Sequence, residues 1–428
     1  MSVPSPRCVT GRHLLAFKLK LALRLPGYAI RRKKYPLFSL KSLFLYRKQK
    51  ILEISKAVRL GRHYYIGILR APRFPSAAFD HMVAKGGLNI PAVGVNGRQI
   101  RQQINYAILA VSRRCRYACR HCYEHDNLAD SESVPLERWR QVMGELQDIG
   151  VGIVVLSGGE PMLRFDCLLE LLKSGDKKRS DFHLHTAGHG VTRPRAEALK
   201  EAGLTAAAVA LDDYDPERYD RFKGYPGAFQ EAVSALEHFH RAGILTYTNV
   251  CLRKELMNSG ALGRYLELAR DLKVGAISLL EPKPWGQYAS RQADELFSED
   301  DRSRVTAFFQ TVNLHKKYRD YPYVEYLSYY ERPEHLGCLM GGHSHLYING
   351  RGQVQPCVFL PVSFGSIMEE TFPRIFKRLR RAVPTPLHAP CPAVSLADTI
   401  KGKHPPAMPI DCRDIAAEWR QMFLQRGR

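Results

Sequence analysis

Acidic residues are nearly missing from the first 80 positions. Glu53 and Asp80 stand there against 18 Lys and Arg, a net charge of +16. The rest of the 428-residue chain carries only +6 of the total +22, so the asymmetry belongs to an N-terminal segment. Long apolar runs are missing too. No stretch of 18 uncharged apolar residues occurs, which argues against a membrane-spanning helix. The N-terminus lacks the charged, apolar and small-residue succession of a secretory signal. The ten cysteines do not have the regular spacing of a disulfide framework, and a reducing, cytoplasmic compartment is expected. Hydrophobic and aromatic contents of 45% and 10% are ordinary and leave ample material for a core. The length suggests about two or three domains.

The basic segment, residues 1–100, reads as partly helical. His13–Leu25 is apolar with Lys18, Lys20 and Arg24 interrupting it, and is expected to stop at Pro26 and Gly27. In Leu37–Leu60, Leu40, Leu43, Phe44, Ile51, Ile54 and Val58 share one helical stripe. Two readings stay open. One is a helical cap on the main domain, with lysine stems covering apolar surface. The other is peripheral contact of residues 1–80 with a membrane, at its inner face. Nucleic acid is not expected, since no platform of interleaved aromatic and basic residues is evident.

From Ile104 onward, strand-length apolar runs alternate with amphipathic helical stretches. The expected strands are Ile104–Val111, Gly152–Ser157, Phe182–Thr186, Ala206–Leu211, Leu245–Cys251 and Ala276–Glu281. Helices are expected near Leu136–Ile149, Phe165–Ser174, Pro194–Ala202, Phe229–Ala242 and Leu262–Leu272, with Gly150, Gly203, Gly243 and Gly275 at helix ends. Six such units predict an α/β fold, a partial (β/α)6 TIM-like barrel over residues 101–285, with its chemistry at the C-terminal ends of the strands. The repeat is expected to break at Pro282 and give way to a small C-terminal module, residues 286–428.

Cys115, Cys119 and Cys122 follow the first strand, in CRYACRHC. A triple at fixed spacing would arise by chance only about 0.005 times in a chain of this cysteine content. Three thiolates converge there and leave a fourth position open, whereas iron–sulfur clusters usually have four. Ser157-Gly158-Gly159-Glu160-Pro161 ends the second strand. Together the two motifs resemble the radical S-adenosylmethionine (SAM) superfamily. The resemblance implies that the three thiolates hold a 4Fe–4S cluster whose fourth iron is chelated by SAM. It implies cleavage to a 5′-deoxyadenosyl radical that abstracts hydrogen from an unreactive C–H. Gly158 and Gly159 would let backbone approach SAM, Glu160 would help anchor its ammonium group, and Pro161 is a further cofactor-binding position that the resemblance implies. His121 stands where the family usually has an aromatic residue near the adenine. Asp212 and Asn249, on later strand ends, are candidate ligand contacts by position.

Further on, Cys338 and Cys357 bracket Gly352 in a pattern similar to the start of the SPASM and twitch extensions of this family. The resemblance implies an auxiliary 4Fe–4S cluster on Cys338 and Cys357, with Cys391 and Cys412 competing for the remaining positions. The expected function is therefore a radical SAM enzyme, an oxidoreductase or transferase. Its substrate would be a lipid or isoprenoid, or a peptide, and its electron donor would be of flavodoxin or ferredoxin type. One rival reading is a non-catalytic iron–sulfur electron carrier. Another is a zinc-binding interaction module, disfavoured because CRYACRHC lacks paired CxxC spacing.

Overall fold

A computed structural model describes residues 4–30, 54–85, 104–257, 260–289, 295–384, 386–403 and 409–424. The chain opens with strand β1 (Arg7–Val9) and a helix, Gly11–Ile30. That helix runs on through Pro26 and Gly27, where a stop was expected. Proline inside a helix forfeits a hydrogen bond without always ending it. Of the second expected helix, residues 37–53 lie outside the described residues, and Ala57–Leu60 is a strand, β2. Helical periodicity loses there to pairing: β2 is the centre of an antiparallel sheet between β1 and β3 (His63–Tyr65).

The main sheet contains β4 (Tyr106–Ser112), β5 (Ile153–Gly158), β6 (Asp181–Thr186), β7 (Ala206–Ala210), β8 (Leu245–Cys251) and β9 (Ala276–Leu280), all parallel and in chain order. These are the six expected strands. Each is buried on both faces, as in β4. Ala107, Leu109 and Val111 pack toward the helices, while Tyr106, Ile108 and Ala110 face the interior of the curved sheet. Gly150, Gly203 and Gly243 end helices at φ of 89°, 103° and 70°. Gly275 does not, because Lys273 (φ 57°) takes the left-handed position. A Cβ on Gly275 would press on Leu245 and Val58 at 2.8 and 3.1 Å.

The sheet does not stop where the repeat was expected to break. Helix Glu299–Leu314 leads into β10 (Tyr323–Tyr326), parallel to β9. At the other end β11 (His345–Ile348) pairs parallel with β4, and β12 (Val354–Gln355) returns antiparallel along it. Among the described residues the sheet has nine strands, bounded by β10 and β12, and it does not close.

The N-terminal segment plugs the interior at the strands' N-terminal ends. Val58, Leu60, Tyr65 and Ile68 pack on Ala206, Leu245, Tyr247, Ala276 and Tyr323. Glu325 accepts hydrogen bonds from Ile68 N (2.8 Å) and Arg70 Nε (2.9 Å), and Asp181 accepts from Arg73 N (2.7 Å). Part of the basic segment is thus a cap on the main domain. No helix among the described residues is long and apolar enough to cross a membrane.

Candidate functional site

The loop after β4 is held on three sides. From its own strand end, Glu132 accepts from Ser112 Oγ (2.8 Å) and Arg113 N (2.9 Å). From β5, Gly159 N and Glu160 N donate to the carbonyls of Ser112 and Arg114 at 2.8 and 2.7 Å. From helix Pro216–Lys223, the carbonyls of Lys223 and Phe222 accept from Ala118 N and Arg120 N, both at 3.0 Å. The loop then points Cys115, Cys119 and Cys122 into a cavity of about 690 Å³. Its floor includes Ile68, Leu69 and Arg70 of the N-terminal plug.

Burial pushes all three thiols up, Cys115 to about 12. Bare thiolates are therefore disfavoured here, and a bound cationic iron centre would supply the charge that stabilises them. No group of three His, Cys, Asp or Glu among the described residues converges on a single metal ion.

The glycines also serve the cysteine loop. Gly158 and Gly159 do line the cavity, but Gly158 sits at φ 142°, and a Cβ there would overlap the Ser112 carbonyl oxygen. One on Gly159 would lie 2.5 Å from the Arg114 carbonyl oxygen. Their lack of a side chain first lets β5 grip the cysteine loop. Glu160 is fully buried and outside the cavity lining. It accepts from Met162 N (3.0 Å), Thr186 Oγ1 (2.7 Å) and Ala187 N (2.8 Å), tying the ends of β5 and β6 together. Pro161 starts the short helix Pro161–Arg164 behind it.

His121 lines the cavity and stacks on Phe222, with ring centroids 4.8 Å apart and planes 2° from parallel. Burial lowers its pKa to about 4, and its buried Nδ1 has no protein partner. Asp212 also lines the cavity. It accepts from Cys251 N (2.7 Å) and pairs with Lys223 Nζ (2.9 Å), both side chains being 2% exposed. Burial works against the Asp212 carboxylate, but Lys223, with the Cys251 backbone N–H, holds it below the ordinary range. Asn249 is a lining residue.

Several lining residues escaped sequence reasoning. Lys223 sits in RFKG, which looks like an exposed helix end. His185 and Cys251 also face the cavity, the His185 Nε2 lying 2.9 Å from the Tyr247 hydroxyl.

Cys338, Cys357 and Cys391 line the same cavity. Cys338 and Leu387 exchange backbone hydrogen bonds of 2.7 and 2.9 Å. Gly352, at φ 84°, makes the turn between β11 and β12, as its place in the pattern requires. Burial pushes Cys338 up, and Cys357 to about 12. Cys412 is elsewhere. Its N–H donates to Ser363 O (2.9 Å), and its charged neighbours are Asp411, Arg378 and Arg413. Glu281 closes β9, accepting from Tyr326 Oη (2.5 Å), Lys283 Nζ (3.0 Å) and Arg302 Nε (3.3 Å).

The family profile of the Radical SAM superfamily matches residues 109–259. The AdoMet-dependent heme synthase of Oleidesulfovibrio alaskensis is 27% identical over 315 residues, covering 68% of this chain and 79% of that protein. The PqqA peptide cyclase of Rhizobium meliloti is 30% identical over 284 residues, covering 63% and 73%. In fold, the chain is similar to Streptococcus suis SuiB bound to the precursor peptide SuiA. The TM-score is 0.54 at 16% identity, with 65% of each chain covered.

Proposed function

The chain belongs to the radical SAM superfamily, and from that premise we propose that Cys115, Cys119 and Cys122 hold the 4Fe–4S cluster of this enzyme. Cys338, Cys357 and Cys391 would hold an auxiliary one across the same cavity. The observation that carries the reading is that both cysteine triples line one cavity. When bound, the SAM-binding cluster and SAM supply the 5′-deoxyadenosyl radical that abstracts hydrogen from substrate.

The chain's own residues bind, orient and exclude water. Gly158 and Gly159 offer backbone without side chains. His121, held flat on Phe222 and neutral, offers a ring face to the adenine. Asn249 offers an amide. Asp212 and Lys223 brace the cysteine loop against β8. Glu160 acts as a tie between strand ends rather than as a cavity wall. Residues 101–285 would form the SAM-binding core and 286–428 the auxiliary module, the two sharing one sheet. An external donor of flavodoxin or ferredoxin type would supply the electron.

The substrate class we favour is a peptide, because the relative at 30% identity is a peptide cyclase. One observation favours a lipid or isoprenoid. Helix Gly11–Ile30 exposes Leu15, Leu19 and Leu23 by 58, 56 and 79%, opposite its buried Leu14, Phe17 and Leu21, within a strongly basic segment. Co-sedimentation with anionic liposomes separates the two. Binding lost in a Leu15/Leu19/Leu23→Gln variant supports membrane contact, and negligible binding by the parent ends it. A mere electron carrier is at odds with the relatives, which are named as synthase and cyclase.

The central test is anaerobic reconstitution with iron and sulfide, then dithionite and SAM, following 5′-deoxyadenosine. Its formation, lost in Cys115→Ala, is expected. A Cys119→Ala protein that cleaves SAM at the parent rate would overturn the reading.

A further inference from the structure

One short segment is hydrogen-bonded to both cysteine-bearing loops. Cys122 is the last cysteine of the loop after β4, and Cys391 precedes the short helix Pro392–Ser395. Pro282-Lys283-Pro284-Trp285 runs from the end of β9 to the one-turn helix Gly286–Tyr288. On one side the segment meets the Cys122 backbone. Gln287 N donates to Cys122 O at 2.9 Å, and a Cβ on Gly286 would overlap the same carbonyl oxygen. Gln287 Nε2 lies 2.9 Å from His125 Nδ1, three residues beyond Cys122. On the other side Trp285 Nε1 donates to Ala393 O, two residues beyond Cys391. In that turn Cys391 O accepts from Val394 N (2.9 Å) and Ser395 N (3.0 Å), so Ala393 and Cys391 move as one piece.

The segment is stiff and cannot slip. The rings of Pro282 and Pro284 fix two of its φ angles. Lys283 O accepts from Trp285 N (2.8 Å), and Lys283 Nζ is tied to Glu281 at the end of β9 (3.0 Å). Lys401 lies over the Trp285 ring, 5.9 Å from its centroid, and donates to Ala289 O at 2.7 Å. Trp285 and Ala393 are only 5% and 3% exposed. A buried indole N–H holds to its acceptor, because leaving either partner unpaired is costly. These contacts are made to backbone carbonyls and leave every cysteine thiol free to ligate. A rigid piece bonded to two loops passes a displacement of one to the other.

We infer that Pro282–Gln287 couples the two cluster sites, with Trp285 and Gln287 as positioning residues. An occupied auxiliary site fixes the turn after Cys391. Trp285 and Gln287 N then seat Cys122, and with it the cluster that binds SAM. The inference rests on the reading of the two cysteine triples as two clusters. Linkage makes the effect reciprocal, so SAM favours the filled auxiliary site by the same factor.

The test uses the full-length chain after anaerobic reconstitution. SAM affinity is read by equilibrium dialysis, alongside iron content and the EPR spectrum of the dithionite-reduced protein. Cys338, Cys357 and Cys391 all changed to Ser empties the auxiliary site. SAM binding should then weaken by about tenfold, with the iron and EPR signal of the SAM-binding cluster retained. Trp285→Phe keeps a ring and removes one donor. Gln287→Pro removes the donor at the other end, in the first turn of a helix, where proline is tolerated. Each should weaken SAM binding to a similar extent with both clusters loaded. Neither should weaken it further once the auxiliary site is empty, since coupled changes do not add. Cys412→Ser should bind SAM like the parent. Parent-like affinity in both Trp285→Phe and Gln287→Pro would overturn the inference. So would losses that add to that of the emptied protein, or an emptied protein that binds SAM like the parent. A parent that takes up the iron of one cluster only would overturn instead the reading of two clusters.

Discussion

At the scale of single residues, the site is governed by close approach and by charges that cannot leave. Gly158 combines a left-handed φ with a carbonyl where a side chain would go. Gly158→Ala should therefore cost about 2 kcal/mol or more through backbone strain alone. It should also lower iron uptake, because the cysteine loop loses its seat on β5. A urea melt of the apo-protein, with iron analysis after reconstitution, checks both effects. The Asp212–Lys223 pair is fully desolvated. Removing one partner leaves an uncompensated buried charge. Lys223→Met should cost about 3–5 kcal/mol, while the double variant Lys223→Met/Asp212→Leu should recover much of that loss. A double variant no more stable than the single one would show that the pair is not coupled.

At the scale of elements, the N-terminal plug changes what a truncation means. Removing residues 1–80 would take away Val58, Leu60, Tyr65 and Ile68 and uncover the interior ends of β7 to β10. It would also leave Glu325 and Asp181 without their partners Arg70 and Arg73. Such a chain should lose its cooperative thermal transition. The leucine-to-glutamine variant of the first helix should keep its transition within a few degrees, since those side chains are exposed. Differential scanning calorimetry of both checks this. A truncated chain that melts like the full-length protein would mean that the plug is dispensable.

At the scale of the molecule, Glu281 links β9 to β10 and to the helix Glu299–Leu314. Burial opposes its ionisation, yet Lys283, the Tyr326 hydroxyl and Arg302 hold its pKa at about 2, against an ordinary 4.5. The depressed folded-state value sets the sign. The unfolded chain binds this proton first, so the stabilisation is complete above pH 4.5 and is lost as pH falls toward 2. Between pH 5.5 and 3, the urea midpoint of the parent should fall more steeply than that of Glu281→Gln. Parallel curves would show that the network contributes nothing to acid stability. Glu124 acts in the opposite sense, burial raising its pKa to about 7, so only the difference between variant and parent isolates Glu281.

Local sequence determined what depends on local spacing. Strand and helix periods gave six parallel strands to within a residue or two, because a strand buried on both faces must be continuously apolar. The spacing of Cys115, Cys119 and Cys122, with Gly158 and Gly159 at the next strand end, identified the family because those motifs are short and contiguous. Only the tertiary structure decided which distant groups meet. Ala57–Leu60 became a strand because β1 and β3 offered it partners. The sheet continued into β10 and β11 because their pairing partners lie far away in sequence. Lys223 carries no local signal, since a charged residue at a helix end looks solvated until the fold buries it. Cys391 and Cys412 were equivalent as letters. They differ because the chain returns one to the cavity and leaves the other beside Arg378, and pairings across such distances are set by packing and not by sequence separation.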